Sequence, residues 1–175
     1  FSEYKTVVRD RKQLSMNEKI LELLGKAFPE VTFEHATFQG DFAITFDKQF
    51  IVPVCDFLKH DPVLQFTMLN DVTAIDWAKR GDRFTVVYHL LSMQNNFRLR
   101  LRCPVNEESC NIDTVTPVWR SANWYERETF DMYGIHFNDH PDLRRMYMPE
   151  DFPNHPLRKD YPLMGIPGDL SLPRK

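Results

Sequence analysis

The residues able to do chemistry crowd into one stretch, from Trp119 to Leu163. Glu126-Arg127-Glu128 with Asp131 sets three carboxylates and a guanidinium on one short segment, and Arg127 and Asp131, a helical turn apart, are placed to pair on one face. Carboxylates do acid–base work only where their surroundings drive their pKa values apart. Nothing in the residue pattern shows such a separation, so this group reads as a structural charge cluster, within the fold or against a partner. His136, His140 and His155, beside Asp139, Asp142 and Asp160, are of metal-ligand type. Zinc histidines recur as HxxxH on a helix, however, whereas here Gly134 closes the helix first and His140 precedes a proline. These histidines are therefore expected to donate ring hydrogen bonds in turns. The third cluster, His155-Pro156-Leu157-Arg158-Lys159-Asp160-Tyr161-Pro162, brackets a basic core between prolines and has the profile of a recognition segment. The chain contains no G-x-S-x-G, no Walker A sequence and no glycine-rich dinucleotide loop.

The rest of the chain must fold so as to position these clusters. Its 175 residues suit one domain with an appendage, and a hydrophobic fraction of 42% with 27% charged residues is ordinary for a globular protein. A net charge of -3 supplies no general attraction to nucleic acid or anionic lipid. The longest apolar runs, near 50–54 and 84–93, are of strand length and too short to span a bilayer. Three cysteines, Cys55, Cys103 and Cys110, form neither a CxxC pair nor a disulfide framework, and they are too few for an iron–sulfur cluster held by this chain alone. A reducing compartment is the simpler expectation.

Residues 1–14 are too charged for a signal peptide and are expected to be an N-terminal extension. Ser15, with Glu18 three residues on, predicts a capped helix whose stripe is Ile20, Leu21, Leu24 and Phe28 and whose stop is Pro29. Val31 and Phe33, then Phe42, Ile44 and Phe46, alternate as strands around Gly40-Asp41, and Pro53 opens a short helix broken at Asp61-Pro62. The clearest strand pair runs from Phe84 to Cys103 across Gln94-Asn95-Asn96. Its second strand alternates Arg98, Arg100 and Arg102 with Phe97, Leu99 and Leu101, which reads first as a solvated sheet face and second as a surface for an anionic partner. Residues 105–113 look like a polar loop, and a helix over Ser121–Tyr133 should end at Gly134 in the left-handed conformation. Seven of the 12 prolines fall after residue 140, so residues 141–175 must be extended or turned, with Phe152, Leu157, Tyr161, Leu163 and Met164 as anchors for a surface. The predicted fold is α+β: a small mixed or antiparallel sheet with packed helices over 15–140, followed by an extended proline-rich arm over 141–175.

These residues also carry a resemblance. Glu126-Arg127-Glu128 with Phe130-Asp131-Met132-Tyr133-Gly134-Ile135, then His140-Pro141-Asp142-Leu143-Arg144-Arg145, then the run from His155 to Pro162, closely resemble the 30 kDa subunit of respiratory complex I, the NADH:quinone oxidoreductase. Val87-Tyr88-His89-Leu90 and Asn123-Trp124-Tyr125 fit the same pattern; Asn154 departs from the glycine common there. The resemblance implies a noncatalytic peripheral-arm protein whose C-terminal segment packs on the 49 kDa quinone-site subunit, near the ferredoxin-like iron–sulfur subunit. It implies no cofactor on this chain, with FMN, iron–sulfur clusters and quinone on partner subunits. It further implies a peripheral position on the cytoplasmic side of a bacterial inner membrane, or on the matrix side of the mitochondrial one. The equivalent subunit of a membrane-bound hydrogenase or other-donor oxidoreductase is the near alternative, and a freestanding metal-dependent enzyme the remote one.

Overall fold

The computed structural model describes residues 16–78, 81–162 and 164–165. The N-terminal extension, the capping position Ser15 and the anchor Leu163 lie outside them. Helix α1 covers residues 16–27 and buries Ile20 and Leu24. The predicted hairpin follows as β1 (Glu34–Phe38) and β2 (Asp41–Thr45), turning through Gln39 and Gly40, both at positive φ. Val31 and Phe33 precede β1 rather than belong to it. After α2 (Ile51–His60), the chain forms a meander of three nine-residue strands: β3 (Met68–Asp76), β4 (Phe84–Ser92) and β5 (Phe97–Val105). The sheet order is β1-β2-β5-β4-β3, mixed because β2 runs parallel to β5 while the other pairs are antiparallel. The stretch read as a polar loop contains β6 (Asn111–Asp113), which pairs in parallel with β7 (His136–Asn138) beyond α3 (Ala122–Tyr133).

Alternation decides which face is core. Phe42, Ile44, Leu99, Leu101, Val86, Tyr88 and Leu90 share one face and meet Ile20 and Leu24 of α1 and Val54 and Leu58 of α2 in one apolar cluster. Each large side chain fully buried there stabilises the fold by roughly 1.5–3 kcal/mol. Cys55 and Cys103 lie in the same cluster as free thiols, and burial pushes both above their usual pKa. The opposite face carries Arg98, Arg100 and Arg102.

Helix α3 packs beside the edge strand β3 and seals it with hydroxyls. Thr129 Oγ1 shares its single proton between the Val72 carbonyl at 3.0 Å and the Tyr125 carbonyl at 2.9 Å, and Ser121 Oγ donates to the Leu69 carbonyl at 3.3 Å. An edge strand whose carbonyls are occupied offers less to a stray strand. Thr129→Val keeps the volume and removes the donor, so it should lower unfolding free energy by about 1–3 kcal/mol. Urea denaturation of the two proteins measures this directly; equal midpoints would mean that the hydroxyl is not sealing the edge.

Candidate functional site

Residues 141–162 contain no helix or strand. They run as turns, closed among others by the amides of Phe152, Arg158 and Tyr161 on the carbonyls of Pro149, His155 and Arg158. What orders them is the end of α3. A helix leaves its last four carbonyls without intrahelical partners. Here the Phe130 carbonyl accepts from the Gly134 amide at 2.8 Å and the Asp131 carbonyl from His155 Nδ1 at 2.9 Å. The Met132 carbonyl accepts from the Leu157 amide at 3.1 Å, and the Tyr133 carbonyl from Arg158 Nε at 2.5 Å. All four are thereby satisfied, three of them by the segment His155–Arg158. The arginine also places positive charge where the helix dipole favours it.

This close approach explains the glycine. Gly134 sits at φ 75° as the C-cap, and a Cβ there would lie 2.5 Å from His155 Nε2 and 2.8 Å from Arg158 Nη2. The position excludes side chains for conformation and for space.

The inward face of α3 is polar rather than apolar. Asp131, fully buried, accepts the amides of Met146, Tyr147 and Met148 on Oδ2 at 3.0, 2.7 and 3.0 Å and Arg145 Nη1 on Oδ1 at 2.8 Å. Burial raises its pKa, but these donors outweigh burial and hold the carboxyl below its usual range. Glu126, also fully buried, accepts the Val115 amide at 2.8 Å and the Thr114 hydroxyl. Two donors do not offset the desolvation there, and its pKa is pushed up to about 7. The two carboxyls are thus driven apart in pKa, yet each is closed to solvent and fully engaged, so neither is presented to a substrate.

Arg127 does not pair with Asp131 as the spacing suggests. Its Nε and Nη2 donate to the carbonyls of Arg144 and Arg145 at 3.1 and 3.3 Å, and its guanidinium lies 5.3 Å from the Trp124 ring centre. Three convergent amides and Arg145 have already taken the Asp131 carboxylate. Arg145 also reaches the Asn154 carbonyl at 3.2 Å. His140 accepts the Asp142 amide on Nδ1 at 3.0 Å and so donates from Nε2 to the Asn123 carbonyl at 3.2 Å. Burial lowers the pKa of both His140 and His155, consistent with neutral rings that shape turns. His136, by contrast, is an exposed strand residue. Among the described residues, no three His, Cys, Asp or Glu side chains gather as metal ligands. Leu143 packs against the core cluster, whereas the Arg144 guanidinium makes an exposed pair with Asp142; Glu128 and Pro156 are half-buried and Pro141 is exposed. Phe152, expected to await a partner surface, is buried in this chain's own fold, next to Tyr161 and Arg145.

A second anchor leaves little trace in the sequence. Arg83, buried, grips Asp76 with Nε and Nη2 at 3.1 and 3.0 Å, and also pairs with Glu107 at 2.5 Å and Asp160 at 2.9 Å. Asp76 in turn accepts the Lys159 amide at 2.8 Å. Burial would raise the Asp76 pKa, but the guanidinium and the Lys159 and Ala78 amides bring it down to about 2. The guanidiniums of Arg83 and Arg158 both lie about 5 Å from the centre of the Phe84 ring. One signal could have found this anchor: with Val72 and Ala74 pointing inward, period two turns Asp76 inward as well, and a buried carboxylate requires a cation.

Comparison with known proteins places this arrangement. The family model described as respiratory-chain NADH dehydrogenase, 30 Kd subunit, matches residues 44–167. A protein of Geotalea uraniireducens, named as the C subunit of an NADH-quinone oxidoreductase, is 45% identical over 152 residues, covering 87% of this chain and 92% of the relative. Its namesake in Roseiflexus is 44% identical over 147 residues, 84% of each chain. Among solved structures, the trypsin-resistant fragment (1-134) of Nqo5 is 30% identical with a TM-score of 0.59, covering 72% of this chain and 98% of that one. A chain of the archaeal membrane-bound sulfane sulfur reductase shares the fold at a TM-score of 0.69 and 21% identity, covering 84% of this chain and 86% of that one.

The helix end and the buried carboxyls can each be tested by one substitution. Gly134→Ala forces a left-handed alanine, costing about 1–2 kcal/mol, and drives His155 and Arg158 off the helix end. Hydrogen exchange at the Leu157 and Lys159 amides should accelerate well beyond the global change; unaltered protection there would refute the clasp. For Glu126, the folded pKa of about 7 exceeds the free value of 4.5. The folded state therefore binds the proton more tightly. The contribution is complete below about pH 4.5 and is lost as pH rises through 7, on the order of 3 kcal/mol. Glu126→Gln should gain stability relative to the parent as pH rises from about 5 to about 8, with the two converging at low pH. Urea titrations across that range would show it, and a constant difference between the two proteins would contradict the raised pKa.

Proposed function

The chain belongs to the 30 kDa subunit family of the respiratory-chain NADH dehydrogenase, and from that premise we propose that it is a noncatalytic peripheral-arm subunit of a proton-translocating NADH:quinone oxidoreductase. The observation that carries the noncatalytic part is how the signature residues are used. Glu126, Asp131, His140, His155, Arg145 and Arg158 each engage the chain's own backbone or one another through at least one polar atom. The two carboxyls, Glu126 and Asp131, are fully buried. Around the clasp, Trp124, Tyr147 and Leu157 are 61%, 63% and 51% exposed. Large apolar side chains grouped about an ordered segment suit a permanent partner.

In this reading the clasp is covered by the 49 kDa quinone-site subunit, the ferredoxin-like iron–sulfur subunit lies nearby, and FMN, iron–sulfur clusters and quinone are all held by partners. The chain helps to hold the quinone site in shape while electrons pass from NADH to quinone. Among the described residues no helix is long and apolar enough to cross a membrane, so membrane attachment is attributed to the assembled complex, on the cytoplasmic side of a bacterial inner membrane. The bacterial relatives support NADH as donor over the hydrogenase alternative.

An affinity-tagged chain, purified from membranes in mild detergent, tests this. It should bring down an NADH-binding flavoprotein, iron–sulfur subunits and a quinone-site subunit, whereas the free chain should show neither visible absorbance nor NADH oxidation. Recovery with hydrogenase subunits instead, or a stoichiometric chromophore on the free chain, would overturn it.

A further inference from the structure

The sheet face opposite the core carries charges that the clasp does not use, although Tyr133 of α3 hydrogen-bonds Thr73 on its β3 side. Cross-strand register puts Arg98, Arg100 and Arg102 of β5 there, flanked by Leu91, His89 and Val87 of β4. Their charges are not equally answered. Arg100 pairs with Asp41 at 3.0 Å, but Arg98 and Arg102 have no ion pair among the described residues. Glu34 shares the row of Arg102 two strands away, about 10 Å, and does not pair with it. Asp71 stands across from His89 instead.

Arg102 is the telling residue. Its Nε is shut off from solvent and has no acceptor among the described residues. Three other buried side-chain atoms, Asn17 Oδ1, Tyr88 OH and Trp119 Nε1, also lack partners, but they are neutral. A charged donor left this way is costly, and such groups in native structures ordinarily have an acceptor. On the other side of Arg100, a cavity of about 330 Å³, which Arg102 itself does not line, opens between Asp41, Asn70, Asp71, His89, Arg98 and Arg100. The register shift between Leu69 and Asp71 breaks the regular pairing of β3 at the same place.

We infer that this arginine face docks an acidic protein segment of a neighbouring subunit, with carboxylates meeting Arg98 and Arg102. Four residues along a strand separate these two by about 14 Å, which sets the spacing of the acceptors. Charge complementarity selects a carboxylate-bearing surface, and burial of the guanidinium stems on docking strengthens each charged hydrogen bond. This face lies away from the core, and its partner contact is separate from the clasp. The inference rests on the proposed subunit role and goes beyond it by naming a second contact and its chemistry.

The test uses the tagged full chain in its complex. Arg102→Met keeps the apolar stem over Val87 and removes the orphaned donor, so the free chain should melt at the same temperature or higher. A purely structural arginine would give a lower one. Arg98→Gln with Arg102→Met should reduce retention of the chain in the purified complex at least about tenfold, and about 1 M salt should weaken the parent's retention more than the variant's. A photo-cross-linker at position 98 should join an Asp/Glu-rich peptide of another subunit. If the parent chain is retained in the complex and the double variant is retained equally, or the cross-link goes to lipid or nucleic acid, the inference is overturned while the subunit assignment stands. If the parent itself is not retained in such a complex, the subunit assignment falls first.

Discussion

The free carbonyls at the end of α3 are the constraint on which residues 141–162 depend. A helix ending inside the protein must find donors for them. The chain supplies these from His155, Leu157 and Arg158, more than 20 residues downstream. Once that segment is held, Lys159 and Asp160 reach Asp76 and Arg83 at the corner of the sheet. Gly134 is then not an ordinary stop signal, because the donors stand where any side chain would be. Asp131 performs the complementary task from within the helix, gathering three successive amides so that residues 146–148 curl around one carboxylate.

Helix α3 thus departs from the usual rule that an inward helix face is apolar. Buried polar groups stabilise only when fully satisfied, and Glu126, Asp131 and Thr129 each have defined partners. The difference between Glu126 and Asp131 follows from both the depth of burial and the donors: deep burial against two donors pushes the first carboxyl up to about 7, while shallower desolvation against three amides and Arg145 holds the second below its usual range. Separated carboxyl pKa values are ordinarily a mark of acid–base sites. Here burial without access makes them a mark of packing instead.

Periodicity and turn chemistry make much of this fold legible in the sequence. The strand pair from Phe84 to Cys103, the helix ending at Gly134, the two short flanking helices and the turned tail can all be read from spacing alone. The edge strand β1 and the short pair β6–β7 are blurred, because five exposed or three isolated residues leave little pattern. The site is legible as a set of residues but not as a set of contacts. Helical spacing makes Arg127 and Asp131 neighbours, yet it cannot rank that pairing against three backbone amides arriving from another segment. The Asp76–Lys159 contact, 83 residues apart, has no local trace beyond the inward direction of Asp76.

A motif as specific as the run from His155 to Asp160 invites a chemical reading, and its residue types permit one. The structure turns His155 Nδ1, Arg158 Nε and the amides of Leu157 and Lys159 onto the chain's own acceptors, so the specificity is that of a lock between two parts of one chain. Ordering irregular backbone costs about 1–2 kcal/mol per residue, and hydrogen bonds contribute only about 1 kcal/mol each net. A tail of turns held by such bonds alone would be marginal; burial of Phe152 and packing of Leu143 on the core add apolar support, while Tyr147 and Leu157 stay exposed. Under the proposed subunit role, a partner covering Tyr147 and Leu157 would add further apolar burial and keep water from competing for the helix-end carbonyls.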